Sequence, residues 1–452
     1  MFLTSASPAS LFRSHLTKGR FYQLFQDFII DGAAVGRDGT RVEAFEKRFD
    51  AEIDIVLRKI KAGTYEFTSY REKLISKGAG KNPRQISIPT VRDKLVLKFL
   101  SELLTEIYPN HVSKPPHEIV KEIHSVSSGV SDEHRYLRLD IQGYYPSIDH
   151  VILMRILKKK IRLPEFLNLI ENAIKTPTGK KKIIENFSKC GVPQGLSISN
   201  ILSSLYLEVI DHEYEKVPDV EYYRFVDDIL IIADQKITDG LANDLPSILE
   251  RERKITCHKV GEGNKSTLVS VKDGVDYLGY HFCQKKIEVR TSSYKKMFSN
   301  LMKLFTVAKY KGNQATLIWR MNLRITGCRF LGKRIGWLFF FSQSENMQQL
   351  KQLDAFVTTQ TVKFLEKENG DKIKKFVRAY HEIRFNHRDS KYFLDFDDFT
   401  DDRKKAEIKL LMSFRVPPNL DKLSSEDLNK LFNKCISREI GDLERDMLEV
   451  FS

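Results

Sequence analysis

Cysteine is scarce in this sequence, and its distribution excludes two kinds of small scaffold. Only five of the 452 residues are cysteines, and no two of them form a Cys-x-x-Cys pair. This argues against a disulfide framework and a zinc ribbon, and it indicates a reducing compartment. The eleven histidines are also dispersed, without the spacing of metal ligands. The cysteines are Cys190, Cys257, Cys283, Cys328 and Cys435.

Long apolar runs and an acidic excess are absent as well. No stretch approaches the ~18 consecutive apolar residues of a membrane span, so we expect no membrane partner. Lysine and arginine total 74 against 60 aspartates and glutamates, which gives a net charge of +14. Such a basic excess favours a polyanionic partner, most simply nucleic acid, although a basic protein without one is the alternative.

What the sequence does contain is a pair of adjacent carboxylates between two apolar arms. Residues 222–232 have Asp227 and Asp228 at their centre, which predicts a β-hairpin with both acids at its tip. Neighbouring carboxylates repel each other, so a positive group is expected beside them. Mg²⁺ prefers one or two carboxylates together with substrate phosphates. An ordinary turn is the alternative for this segment taken alone.

Three further segments occur with this hairpin along the chain. Asp140 ends a strand predicted at 136–141, where a rigid backbone suits a metal ligand. A turn at 191–195 leads into a helix predicted at 197–214, and residues 277–282 predict a strand pair with a glycine that allows close backbone approach. Each segment alone is a weak signal, but their order and spacing are specific.

Together these segments resemble the palm of reverse transcriptases. The resemblance makes Asp140 the acid of motif A and places Gln194 and Gly195 in motif B. Asp227 and Asp228 then form the catalytic hairpin of motif C.

The resemblance continues on both sides of the palm. Residues 36–40 and 84–94 are similar to the N-terminal motif and the fingers segment of group II intron and related bacterial reverse transcriptases, the retron enzymes among them. Residues 264–267 resemble motif D. In the primer grip, at 277–282, the implied residues are Tyr277, Leu278 and Gly279.

A reverse transcriptase is an RNA-directed DNA polymerase, and the resemblance implies how its acids work. Such a nucleotidyltransferase adds dNTPs by an in-line phosphoryl transfer assisted by two Mg²⁺ ions, with Mn²⁺ as an alternative metal. Asp140 and Asp227 are the expected bridging ligands, and Asp228 assists the metal or orients the hairpin. Lys265 is the expected proton donor to pyrophosphate, with a surface lysine as the alternative.

Five residues are expected to bind the incoming nucleotide. Lys81 and Arg84 suit the triphosphate, because arginine forks match phosphate oxygens. Tyr145 lies five residues after Asp140, where the family places a ring that rejects a ribose 2′-hydroxyl; a core tyrosine is the alternative. The remaining two are Gln194 and Gly195 of motif B.

The implied fold is α+β, a right-hand polymerase with fingers, a palm built on an antiparallel sheet, a helical thumb and a C-terminal α-helical extension. We expect the N-terminal region and fingers at 1–130 and the palm at 131–285, with a fingers insertion at about 151–190. The thumb and extension follow at 286–452. Outside the motifs, apolar spacing predicts one amphipathic helix at 41–62.

Two departures from the usual motifs narrow the resemblance. Phe225 stands where most reverse transcriptases have tyrosine, and Asn200 where a proline usually follows the serine. Both point towards the divergent abortive-infection and unknown-group lineages associated with phage defence. Residues 324–328 and 336–343 resemble one subunit of defence systems that use two reverse transcriptases.

We therefore expect an antiphage reverse transcriptase in the bacterial cytoplasm, copying a dedicated non-coding RNA into DNA. Its partners would be the RNA template, the DNA product, dNTPs, and either a second reverse transcriptase subunit or further copies of itself. A mobile-element or diversity-generating reverse transcriptase is one alternative. A catalytically retired RNA-binding scaffold is the other, and the retained acids weigh against it.

Overall fold

The computed structural model describes residues 7–30, 34–76, 82–111, 114–263, 265–311, 313–365, 367–412 and 419–448. Two residues of the predicted site segments, Lys81 and Asn264, lie outside the described residues. Within those ranges, no helix combines the length and the apolar character needed to cross a membrane.

Helices make up most of the chain. In chain order the α-helices are α1 (Pro8–His15), α2 (Lys18–Phe28), α3 (Val42–Glu46), α4 (Phe49–Lys61), α5 (Val91–Ile107), α6 (Pro116–Gly129), α7 (Tyr144–Ser147), α8 (His150–Lys158), α9 (Pro164–Lys175), α10 (Ser199–Tyr214), α11 (Gln235–Arg253), α12 (Thr291–Lys311), α13 (Gln314–Thr326), α14 (Trp337–Phe340), α15 (Met347–Phe364), α16 (Lys367–Gly370), α17 (Phe376–Phe385), α18 (Asp401–Leu411) and α19 (Ser425–Leu448). Short 3₁₀ turns occupy Pro109–His111, Ile184–Asn186, Phe396–Asp398 and Leu420–Lys422.

The strands are short and form small sheets. They are β1 (Arg71–Ile75), β2 (Arg84–Ile88), β3 (His134–Asp140), β4 (Glu221–Phe225), β5 (Asp228–Asp234), β6 (Thr267–Ser270), β7 (Val275–Tyr277), β8 (Tyr280–Cys283), β9 (Lys286–Val289), β10 (Cys328–Phe330), β11 (Lys333–Ile335) and β12 (Leu394–Asp395). Their orders are β1-β2, β4-β5-β3-β6, β7-β8-β9 and β11-β10-β12. Mixed helix and antiparallel sheet confirm the predicted α+β class.

The chain divides into two compact units. The first unit combines Met1–Lys114 with Glu133–Ser270, and the second combines Pro115–Asp132 with Val271–Ser452. These units do not test the predicted boundaries of fingers, palm and thumb, which stay a prediction.

In the first unit the four-stranded sheet carries the predicted catalytic segments. Every neighbouring pair in the order β4-β5-β3-β6 is antiparallel. Because side chains alternate between the two faces of a strand, one face enters the buried core with α10 and α11. The strand residues in that core are Leu137, Leu139, Ile229, Ile231 and Ala233.

In the second unit, β7, β8 and β9 form an antiparallel meander. Leu278 and Gly279 make the turn between β7 and β8, with positive φ values of 46° and 80°. Two positive φ values in succession are what a type I′ hairpin turn requires. The strand pair predicted at 277–282 is therefore confirmed, and Gly279 adopts the left-handed conformation of its turn.

The helical part of the second unit has a core of its own around the small sheet β11-β10-β12. Helices α13, α18 and α19 contribute to it, together with the 3₁₀ turn at Phe396–Asp398. Its largest buried side chains include Trp319, Phe330, Phe396, Phe399 and Phe432. The helix-rich character predicted after residue 290 is thus confirmed within the described residues.

The single helix predicted at 41–62 is wrong, because the structure has two. Helix α3 ends at Glu46 and α4 begins at Phe49, with Arg48 between them at φ −118° and ψ 11°. The first turn of α4 carries Asp50 and Glu52, and acidic residues are favoured there by the helix dipole. Those two acids were a start signal that apolar spacing alone did not reveal.

Candidate active site

The predicted hairpin forms, and its turn is tightly constrained. Strand β4 ends at Phe225, β5 begins at Asp228, and these two residues pair across the turn. Val226 has a φ of 59°, a left-handed conformation that is strained for a β-branched residue. Such strain persists only when surrounding contacts enforce it, so residues beyond the turn must fix the backbone that carries Asp227.

Arg224 is the residue that fixes this turn. Its guanidinium donates to the carbonyl oxygen of Val226 at 3.0 Å and to that of Ser204 at 3.3 Å. It also forms a two-pronged ion pair with Asp211, with Nε 2.6 Å from Oδ1. The Arg224 side chain is 9% exposed, so helix α10, through Ser204 and Asp211, anchors the turn from within the core. The motif pattern did not predict this role for Arg224.

Asp140 and Asp227 come together because β3 pairs with β5. Asp140 lies opposite Asp228 in the register, and the N–H of Ile141 donates to the carbonyl oxygen of Asp227 at 3.0 Å. Burial raises the pKa of Asp227, and the negative charge of Asp140 raises it further. The structure thus unites the two carboxylates that the sequence predicted as metal ligands.

Two basic side chains meet the Asp140 carboxylate. The Nζ of Lys265 lies 3.1 Å from Oδ2, and the Nε2 of His258 lies 3.4 Å from the same oxygen. The N–H of Asp140 donates to the hydroxyl of Ser266 at 3.1 Å. Lys265 thus pairs with the motif A carboxylate, and its role as a proton donor stays a prediction. His258 was missed, because a single dispersed histidine gives no signal in the sequence.

Asp228 is engaged differently from its neighbour. Arg138 donates to both of its carboxylate oxygens, Nε to Oδ1 at 2.8 Å and Nη2 to Oδ2 at 2.7 Å. Burial raises the pKa of Asp228 to about 6, although Arg138 acts in the opposite direction. This contact fits the predicted orienting role of Asp228. Arg138 was missed, yet its position two residues before Asp140 puts both side chains on one face of β3.

Motif B packs against the fingers strand. The N–H of Ser87 on β2 donates to the carbonyl oxygen of Gln194 at 2.7 Å. Gly195 has a φ of 99°, and a Cβ there would lie 2.8 Å from Cγ2 of Ile86. A glycine is thus required for this close approach. Arg84 begins the same strand, and its charge helps to lower the pKa of Asp227 against the effect of burial.

Tyr145 lies between motifs A and B. Its hydroxyl donates to Oδ1 of Asn200 at 2.8 Å, and its carbonyl oxygen accepts from the N–H of Val192 at 2.8 Å. Burial raises the pKa of Tyr145, and the charge of Asp227 contributes to the rise. Tyr145 therefore connects motifs A and B, and its contact with the nucleotide sugar stays a prediction.

The roles of the remaining predicted residues stay predictions. Lys81 lies outside the described residues. Tyr277, Leu278 and Gly279 form the β7–β8 turn of the second unit, so their role in a primer grip stays a prediction.

The donor set fits Mg²⁺ but not a metal held by protein alone. Among the described residues, no group of three or more histidine, cysteine, aspartate or glutamate side chains is arranged to hold a metal ion. Mg²⁺ needs fewer protein ligands, because waters and substrate phosphates complete its octahedron. Asp140 and Asp227, adjacent and partly buried, satisfy that requirement.

A family comparison agrees with the geometry. Residues 75–282 match the family described as reverse transcriptase (RNA-dependent DNA polymerase). The match spans slightly less than half of the chain and includes every predicted site residue. The chain therefore contains a reverse transcriptase domain.

Similar curated proteins include intron-encoded ones. The chain is 25% identical over 211 residues to the group II intron-encoded protein LtrA of Lactococcus lactis subsp. cremoris, which covers 44% of this chain and 34% of LtrA. It is 29% identical over 174 residues to an uncharacterized 91 kDa protein in the cob intron of Schizosaccharomyces pombe, covering 36% of this chain and 21% of that protein. Identity to protein YkfC of Escherichia coli K12 is 23% over 296 residues, 56% of this chain and 76% of YkfC. The chain thus spans about a third of LtrA and about a fifth of the cob intron protein.

Among solved structures, telomerases align with the chain at low scores. The telomerase from Candida albicans, in complex with a telomeric RNA fragment, gives a TM-score of 0.41 at 13% identity, covering 90% of this chain and 68% of that one. Apo telomerase from Candida tropicalis gives 0.41 at 12% identity, covering 98% and 86%. Scores this low do not by themselves relate the chain to telomerase.

Proposed function

We propose that this chain is an RNA-directed DNA polymerase that extends a primer with dNTPs. The observation that carries the proposal is the adjacency of Asp140, at the end of β3, and Asp227, in the constrained turn just before β5, within a reverse transcriptase domain. Two carboxylates on such rigid backbone can bind metal with little rearrangement. The basic composition, with a net charge of +14, suits an RNA template and a DNA product.

Asp140 and Asp227 would hold two Mg²⁺ ions, and Mn²⁺ is an alternative. When bound, such a pair of metals lowers the charge barrier to attack by the primer 3′-oxygen and to departure of pyrophosphate. Asp228, fixed by Arg138, keeps the hairpin in register with Asp140. Its contribution would be smaller than that of Asp227, because its two oxygens already accept hydrogen bonds.

Arg84 and Lys265 would act on the phosphates. Arg84 begins β2 close enough to Asp227 to affect its pKa, so its fork can reach a triphosphate bound beside the metals. Lys265 would give a proton to the leaving pyrophosphate, and the support for this role is its ammonium 3.1 Å from Oδ2 of Asp140. A lysine that only neutralises Asp140 is the alternative for this residue.

Incorporation of labelled nucleotides tests the proposal. Purified protein is given Mg²⁺ with dNTPs or, separately, rNTPs, with and without the RNA that copurifies with it. We expect DNA product that requires Mg²⁺ and is lost in Asp227→Asn, a change that removes one negative charge with little change in volume. The matched control is Asp239→Asn, at an exposed ion pair on α11, which should retain activity. Absence of product under every condition would contradict a polymerase function.

We propose further that the template is a dedicated non-coding RNA and that the reaction serves antiphage defence in the bacterial cytoplasm. The support is the resemblance of Phe225, Asn200 and the C-terminal segments to the defence-associated lineage. A second reverse transcriptase subunit or further copies of the chain would complete the system. Cells that carry the Asp227→Ala/Asp228→Ala variant should lose protection against phage; protection that persisted would rule out DNA synthesis as its basis.

A mobile-element reverse transcriptase is the second candidate, favoured by similarity to the group II intron-encoded protein LtrA. Sequencing of the DNA product separates the two functions. One defined non-coding RNA as template supports the defence function, and copies of an intron that carries the gene support the mobile element.

A further inference from the structure

Tyr145 is hydrogen-bonded to motif B through both its backbone carbonyl and its phenol hydroxyl. At its backbone end, the carbonyl oxygen of Tyr145 accepts from the N–H of Val192 at 2.8 Å. At its outer end, the phenol hydroxyl donates to the side-chain Oδ1 of Asn200 at 2.8 Å. A tyrosine side chain has two free torsions, so the backbone contact alone leaves the ring able to rotate. The contact with Asn200 removes that freedom.

The adjacent Tyr144 shows that this contact is particular to Tyr145. Tyr144 is 2% exposed, and its hydroxyl donates to the backbone carbonyl of Ser203. A backbone acceptor is available whatever side chain is present, whereas the 2.8 Å acceptor of Tyr145 is the side chain of Asn200, with the Ser203 hydroxyl as a second polar group beside the phenol. The hydrogen bond of the Tyr145 hydroxyl therefore depends on the side chains of α10, whereas that of the Tyr144 hydroxyl depends only on its backbone.

Asn200 itself is well positioned to serve as a fixed point. It lies in the first turn of α10, directly after Ser199, whose hydroxyl donates to the carbonyl oxygen of Pro193 at 2.6 Å. The hydroxyl of Ser203 donates to the carbonyl oxygen of Asn200 at 2.8 Å. The Ser199 bond fastens the first turn of the helix to the motif B loop, and the Ser203 bond lies within the helix. Asn200 is therefore part of a rigid element and can fix the position of the Tyr145 ring.

We infer that Asn200 is a positioning residue that sets sugar selectivity by fixing the Tyr145 ring against the nucleotide sugar. The inference rests on the proposed polymerase function and deepens it. A ring excludes a 2′-hydroxyl only while it cannot turn aside, because a small rotation opens room for one oxygen atom. Loss of the Asn200 acceptor should therefore admit ribonucleotides while leaving the metal-binding carboxylates intact.

The test measures kcat/KM for a dNTP and for the matching rNTP in a set of variants. Asn200→Leu keeps a side chain of similar size without an acceptor, and Asn200→Asp keeps the acceptor. We expect the dNTP preference to fall by about 3- to 10-fold in Asn200→Leu, as loss of one hydrogen bond allows, and to be retained in Asn200→Asp. His212→Ala, an exposed change farther along α10, is the control and should leave the preference unchanged.

A double-mutant cycle assigns the effect to the hydrogen bond. Tyr145→Phe keeps the ring and removes the donor, so it should lower the preference to the same extent as Asn200→Leu. The double variant Tyr145→Phe/Asn200→Leu should be no less selective than either single variant, because both remove one and the same contact. Tyr145→Ala, which removes the ring, should lose more of the preference than any of these.

Two results would overturn the inference without touching the proposed function. One is a wild-type enzyme that polymerises while Asn200→Leu keeps its full dNTP preference. The other is an equal fall in kcat/KM for both sugars, which would mean that Asn200 supports the loop and not the ring. A wild-type protein that makes no product would instead contradict the proposed function itself. Thermal midpoints of all variants identify any that fail to fold.

Discussion

Arg138 and Asp228 form an ion pair that is largely shielded from water. Their side chains are 12% and 17% exposed, and two hydrogen bonds join them. Removing one member of such a pair takes two charge-assisted hydrogen bonds away from a buried charge, which costs several kcal/mol. We expect this cost to appear mainly as a lower free energy of unfolding.

Arg138→Ala should therefore lower the free energy of unfolding by about 3 kcal/mol, measured by urea denaturation. The matched control is Arg135→Ala on the same strand, where the partner Asp239 is 50% exposed. An exposed pair of that kind contributes about 0–1 kcal/mol. Equal effects of the two changes would show that Asp228 is not held mainly by Arg138.

At the residue scale, the sequence predicts the acids of the site better than their partners. Asp140, Asp227 and Asp228 were predicted from a motif pattern, and the structure brings them together. His258 could not be predicted, because it reaches Asp140 through a loop whose path depends on the pairing of Ile141 with Cys257. Spacing along the chain carries no information about such contacts.

At the scale of the element, the hairpin that carries Asp227 depends on an arginine of its own strand β4. Arg224 joins Val226 of the turn to Asp211 of α10 through one guanidinium. Lysine retains the charge but has one nitrogen, so it cannot serve both partners in this geometry. The turn would then be free to relax from its left-handed conformation at Val226.

Arg224→Lys should reduce kcat for dNTP incorporation by about 10-fold or more, because small displacements of a reacting group are costly. Tyr222→Phe is the matched control. It removes only the 2.8 Å hydrogen bond from the Tyr222 hydroxyl to Asp211 and leaves the bond to Val226 in place. We expect it to change kcat by less than about 3-fold. Full activity in Arg224→Lys would show that the turn needs no such anchor.

Elements with a strong local signal were predicted closely. The helix predicted at 197–214 is α10, which begins two residues later, and the strand predicted at 136–141 is β3, displaced by one or two residues at its ends. The break between α3 and α4 was missed, since Phe45 and Phe49 are both buried and keep helical spacing across it. Apolar periodicity indicates which helix face is buried, and it continues across a short break such as the one between α3 and α4.

At the scale of the whole molecule, contacts between distant segments set the limit of sequence-based prediction. Helix α6 belongs to the second unit, where it contacts β8 and β9, although the chain on both sides of it belongs to the first. No local pattern marks that exchange. The net charge, in contrast, is fully given by the sequence, and it leads to a prediction that does not depend on how the units are arranged.

RNA affinity should fall steeply with salt and should not need the catalytic carboxylates. With a net charge of +14, the chain should neutralise several RNA phosphates and release their counterions. For four contacts, a log–log plot of affinity against salt should have a slope of about −3. The Asp227→Asn variant loses one negative charge without breaking the Arg138–Asp228 ion pair, so it should bind at least as tightly as the wild type, with the same slope.

Filter binding from 50 to 300 mM salt measures both quantities, and an RNA of the same sequence with uncharged phosphonate linkages is the control that should show no slope. A flat plot for ordinary RNA would mean that the basic excess does not face the phosphates. Weaker binding by Asp227→Asn would mean that RNA is held through metal at the carboxylates. Retained RNA binding with lost DNA synthesis would show that the two activities are separate. The charge that attracts the template is spread over the molecule, whereas the chemistry depends on a few acids at the end of one strand pair.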